Sequence, residues 1–109
     1  MSGELQVKES PQDMSAREVV QWQCTYANTF VPTPTEGTAY VYDVTNGEPG
    51  SNVTSTMMPS GAASASSGTI IAPLMYGSAG TAGNRYKVLF IGVQSSQRCE
   101  QQLIINLKP

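Results

Sequence analysis

Two cysteines and eight carboxylates are the side chains of this 109-residue sequence best equipped for covalent, acid–base or metal chemistry. Histidine is absent. Its absence removes the commonest general base and the commonest imidazole ligand, and with them Ser-His and Cys-His hydrolases and nearly all zinc enzymes. Cys24 and Cys99 have no His or clustered base to depress a thiol pKa, so neither is expected to be a nucleophile. Two structural readings of the pair stay open. They are buried thiols, the form expected of a chain folding in the cytoplasm, or they form a disulfide. A bridge would close a loop of about 75 residues and add about 4 kcal/mol in the chain-entropy picture, provided the Cα atoms lie within about 7 Å.

The carboxylates are just as unpromising for catalysis. Glu36, Asp43 and Glu48 flank the turns around residues 38–44, but calcium takes six to eight oxygens and no Asp-x-Asp spacing supplies them. They read as solvated surface, and no motif makes Asp43 and Glu48 a catalytic pair. Asn52-Val53-Thr54 fits a glycosylation acceptor, a pattern short enough to arise by chance. Residues 60–68 lack the Gly-Lys-Ser/Thr of a phosphate cradle. No enzyme, cofactor or metal centre is expected.

The elements that position these residues read as strands. Val20, Trp22, Cys24 and Tyr26 share one parity, with Gln21, Gln23 and Thr25 on the other. That period of two marks a strand with one dry face, and it makes Trp22 a core residue. Further strands are expected over residues 5–8, 38–44, 52–58, 69–76 and 85–93, and from Cys99 onward. Tyr86, Val88 and Phe90 share one face of the penultimate strand. Cys99, Leu103, Ile105 and Leu107 share one face of the last, with Ile104 the exception to its polar side. Residues 10–13, Asn46-Gly47, residues 77–84 and residues 94–98 read as turns or connections, and residues 60–68 as an exposed mobile loop. Pro73 cannot donate to a ladder and marks an edge or a bulge. Ser15 could cap a single helical turn. Met57 and Met58 read as core filling, and Tyr40, Tyr42 and Tyr76 as the better exposed aromatics.

Many short strands with frequent turns point to one all-β domain over residues 1–109, an immunoglobulin-like β-sandwich of about seven antiparallel strands, with a loose N-terminus at residues 1–4. Charged residues make up only 13% of the sequence and the net charge is −2. No basic stripe exists to neutralise phosphates, so nucleic acid is not an expected partner. The longest apolar runs are strand-sized, far short of the roughly 18 residues of a membrane span. Met1-Ser2-Gly3-Glu4 lacks the regions of a secretory signal, which suggests a chain made in the cytoplasm or a trimmed mature form.

Residues 77–109 carry Gly80-Thr81-Ala82-Gly83, Tyr86 opening a strand, a short polar hairpin with Arg98, and the alternating Leu103, Ile105 and Leu107. In these features the segment resembles the C-terminal half of a family of tailed-phage fibre–tail adaptor or Ig-like virion proteins. The opening is similar too, with Lys8-Glu9-Ser10-Pro11 leading to the strand of Trp22. The resemblance implies a virion location and an assembly role. In folds of this type Tyr86 would bond back to the backbone at the corner between sheets.

The expected function is therefore that of a bacteriophage virion structural protein of the tail, neck or capsid decoration. Its partners would be other virion proteins and copies of itself, and the low charge suits contact surfaces. The long uncharged stretches at residues 27–37 (Glu36 apart) and 59–68 are the expected contact loops. The rival reading is a ligand- or carbohydrate-binding adhesive module of a bacterial surface protein.

Overall fold

The computed structural model describes residues 11–25, 35–59, 61–66, 68–94 and 97–109. Among them the strands are β1 (Gln12–Ser15), β2 (Val19–Thr25), β3 (Glu36–Asp43), β4 (Ser51–Asn52), β5 (Ser64–Ser66), β6 (Thr69–Tyr76), β7 (Arg85–Gln94) and β8 (Gln97–Lys108). One helical turn, α1 (Thr54–Met57), follows β4, and a 3-10 turn over Gly77–Ala79 follows β6. The strands form two sheets, ordered β1-β8-β7-β3-β4 and β2-β6-β5. In immunoglobulin terms β2, β6 and β5 take the B, E and D places. Strands β3, β7 and β8 take C, F and G, with β4 beside C. The chain is an all-β sandwich.

Alternation fixes which side chains enter the interior. In the β7–β8 hairpin Tyr86 lies opposite Ile105 and Val88 opposite Leu103. With Phe90 and Leu107, these six side chains are at most 3% exposed. From the other sheet Trp22, Cys24, Ile70, Ala72 and Met75 meet them, with Val20 half-buried against the same cluster. Full burial of each large aliphatic or aromatic side chain contributes about 1.5–3 kcal/mol. The corner joining the sheets is pinned by Tyr86, whose hydroxyl accepts a 2.9 Å hydrogen bond from the Thr81 N–H. This is the backbone tie that the strand-opening tyrosine led one to expect.

Pro73 produces the bulge its missing N–H demands. The β2–β6 register shifts between Gln21 and Gln23, so inward parity passes from Ile70 and Ala72 to Met75. Before β2, the Arg17 N–H donates to Ser15 Oγ and the Ser15 N–H to Glu18 Oε1, so Ser15 and Glu18 cap a single turn reciprocally.

Several expectations need correction. Residues 12–15 form β1 and not a turn. Pro11 sits just ahead of the strand, where a missing N–H costs no ladder bond, and Met14 is buried at 1%. β1 pairs parallel to β8, Met14 opposite Leu107, so the strands are not all antiparallel. Residues 52–58 are not a strand: β4 ends at Asn52, whose Oδ1 accepts from the Thr54 N–H and Oγ1–H and turns the chain into α1. The supposed loop at residues 60–68 contains β5, which pairs with β6 and packs Ala65 against the core. The last connection is shorter than expected, since Gln94 already pairs with Gln97. The strand expected over residues 5–8 lies outside the described residues.

The sheets approach closely where β3 supplies small inward residues, Gly37 and Ala39. A Cβ on Gly37 would fall 2.8 Å from Ile70 Cγ2 and closer still to Cδ1. Ile70 is fully buried and has no room to withdraw. Gly37→Ala is therefore predicted to lower stability by about 1–3 kcal/mol in urea denaturation. Ile70→Val, which removes Cδ1, should reduce that cost in a double-mutant cycle. An unchanged cost in the Ile70→Val background would contradict this packing.

Candidate interaction surface

The outer edge of β3 is closed by a side chain rather than by a full strand. Val44 N–H donates to Arg85 O at 2.9 Å, so even-numbered β3 residues turn their backbone groups toward β7 and odd-numbered ones toward β4. At that outer edge Asp43 pairs with Ser51. One step along, the Val53 N–H donates to Val41 O at 2.8 Å, and the Val41 N–H donates to Thr54 Oγ1 at 2.9 Å. Thr54 Oγ1–H in turn donates to Asn52 Oδ1 at 2.7 Å. A threonine hydroxyl thus stands where a strand carbonyl would, and the chain then leaves the sheet as α1. The next odd positions, Gly37 and Ala39, direct their backbone groups to the same edge, and no described strand pairs with them there.

Beside this edge lies an open cleft of about 590 Å³ lined by Tyr40, Asn52, Thr54, Ser55, Met58, Pro59 and Gly61. Its lining carries no charge. Met58, 2% exposed, gives it an apolar floor, and half-buried Tyr40 an aromatic wall. The amide and hydroxyls of Asn52, Thr54 and Ser55 supply neutral donors and acceptors. Such a surface suits a backbone segment or a neutral polar ligand, and offers no general base, nucleophile or cation ligand set.

The charged residues singled out in the sequence fall elsewhere. Asp43 Oδ1 accepts from the Thr45 N–H at 3.0 Å and the Thr45 hydroxyl at 2.6 Å, and Oδ2 accepts from Asn84 at 3.1 Å. It stitches the β3–β4 turn to the corner before β7. The Thr45 hydroxyl bond is the main cause holding its pKa below 3.8; the Thr45 N–H and Asn84 add to this and partial burial opposes it. Glu48 pairs with Lys87 at 2.6 Å, and the Lys87 ammonium sits 5.4 Å from the Tyr42 ring centroid. Glu36 lies at the opposite end of β3 from Asp43. No group of three potential metal ligands occurs among the described residues.

Cys24 is buried in β2, 1% exposed. Cys99 pairs in register with Gly92, and its side chain lies outside the described residues. Trp22 is 9% exposed, with a buried Nε1 that has no hydrogen-bond partner among the described residues. Met57 is buried beside Met58, and Asn52 of the glycosylation-like triplet is exposed but engaged with Thr54. Of the two expected contact stretches, the second contributes Pro59 and Gly61 to the cleft. Most of the first, residues 27–34, lies outside the described residues. Sequence reading missed Thr54 as the edge cap. Its signal was present in Asn52-Val53-Thr54, an Asx-turn spacing.

The sequence matches no protein-family model and no curated protein.

Because its folded-state pKa is depressed, Asp43 adds stability that is complete above its unfolded value near 3.8 and is lost as pH falls through the folded value. Asp43→Asn cannot titrate. The stability gap between wild type and Asp43→Asn, measured by urea midpoints, is predicted to be constant from neutral pH to about pH 5 and to shrink below about pH 4. A gap that stays constant down to pH 2 would contradict this assignment.

Proposed function

We propose that this chain is a structural protein of a tailed-bacteriophage virion, a tail, neck or decoration component that docks to other virion proteins and to copies of itself. The observation that carries the reading is the partly paired edge of β3 beside a neutral cleft. Unpaired strand-edge groups recruit an extended segment by main-chain hydrogen bonding, while an adjoining pocket selects its side chains. The likeness of residues 77–109 to the tailed-phage proteins supplies the virion context. The tyrosine tie does not choose between readings, since it serves any sandwich of this type equally well.

A second reading has a specific observation of its own. Tyr40 beside Asn52, Thr54 and Ser55 combines an aromatic face with neutral hydrogen-bonding groups, the chemistry by which a carbohydrate ring is held. That would fit an adhesive module.

Phage particles banded on a density gradient and quantified by mass spectrometry separate the two. The virion reading predicts the chain in the particle band at a fixed copy number, with no glycan retained by the purified protein. A chain confined to the soluble fraction, together with glycan binding abolished by Tyr40→Ala, would overturn it in favour of the second reading.

A further inference from the structure

The two outer faces of the sandwich differ in kind. From the five-stranded sheet Glu36, Arg85, Lys87, Arg98, Glu100 and Lys108 stand on outward positions, so that face is studded with both signs of charge. None of the three strands of the other sheet contains a charged residue. Its outward positions are Val19, Gln21 and Gln23 from β2 and Ile71, Leu74 and Tyr76 from β6, while β5 adds only serines. Val19 is 49% exposed and Leu74 39% exposed, and they are the large apolar side chains most open to solvent among the described residues. Val19 lies opposite Tyr76 and Gln21 opposite Leu74, which places the two apolar side chains diagonally adjacent.

We infer that this uncharged face is a self-association surface, and that its occupant is the same face of a second copy of this chain. A two-fold contact sets each patch against itself, so a patch can serve only if it is self-complementary. A face with charge of one sign near the axis repels its own copy. The three strands of this sheet contribute no such charge. Glutamine amides carry a donor and an acceptor each and can pair with their own kind across the axis, while Val19, Ile71 and Leu74 supply area to remove from water. Gln21 Nε2 donates to Ala72 O at 3.1 Å, which ties this side chain to the neighbouring strand. The remaining structure fits this use. Charged residues are depleted at the cores of protein interfaces, and this sheet has none in its strands. The inference does not need the virion reading, because a chain that never enters a particle can still pair through this face.

Sedimentation equilibrium of the purified full chain over a wide concentration range tests it. The expected result is a dimer whose dissociation constant is nearly the same at about 0.05 and about 0.5 M NaCl, since no charges are to be screened. Leu74→Lys sets like charges near each other across the axis and is expected to weaken the dimer at least about tenfold. Thr38→Lys, on the outer face of the other sheet, is expected to leave it unchanged. Should Leu74→Lys lose the cooperative thermal transition, Gln23→Glu takes its place with the same expectation. A monomer at every concentration would overturn the inference, as would a dimer indifferent to Leu74→Lys or weakened equally by Thr38→Lys. Failure of the chain to band with particles, with the dimer intact, would remove the virion reading alone.

Discussion

Every second side chain of β2, β6, β7 and β8 must be shielded from water by the facing sheet, and each sheet is stable only because the other supplies that cover. Phe90, Leu103, Ile105 and Ile70 are at most 1% exposed, so the shared layer is dry. A strand slipped by one residue would exchange its inward and outward sets, which makes the register of each pair a consequence of the same layer. Gly37 and Ala39 show how tightly it is drawn. At Gly37 the reason is direct, since Ile70 occupies the space in which a side chain would lie.

This dependence explains what was legible in the sequence. Val20-Gln21-Trp22-Gln23-Cys24 and, Ile104 apart, residues 103–107 announce their strands because a sheet with one wet face leaves an alternation. Pro73 announced its bulge, and Tyr86 its tie to the corner, because each has a local chemical cause. What the sequence concealed was short or set by distant contacts. β1 reads as a turn until β8 is beside it to bury Met14 and accept parallel pairing. β5 is three residues of Ser and Ala, with no apolar signature, and is a strand only because β6 offers an edge. Residues 52–58 carry strand-forming types, yet the local bonds from Asn52 to Thr54 win over that propensity. The cleft was half legible. One expected contact stretch lines it, while Thr54's role as an edge cap needed the position of Val41.

The distribution of polarity then separates the surfaces by use. Charged side chains gather on the outer face of the five-stranded sheet and on the turns, where Asp43–Thr45–Asn84 and Glu48–Lys87 brace one end of the sandwich. Exposed pairs of the latter kind add little to stability, about 0–1 kcal/mol, so their arrangement bears more on what may approach that face than on holding it together. The neutral surfaces are the β3 edge with its cleft and the outer face of the three-stranded sheet. They lie on different parts of the molecule, so the docking proposed for the first and the self-association inferred for the second would not compete for one surface.

The shared dry layer is tested most directly by nuclear Overhauser contacts in isotope-labelled protein between the Ile70 methyls of one sheet and the Gly37 α-protons of the other. The account predicts strong contacts from both Ile70 methyl groups to Gly37. Ile70 methyls that contact only β2 and β5, or that exchange magnetisation with water, would contradict it.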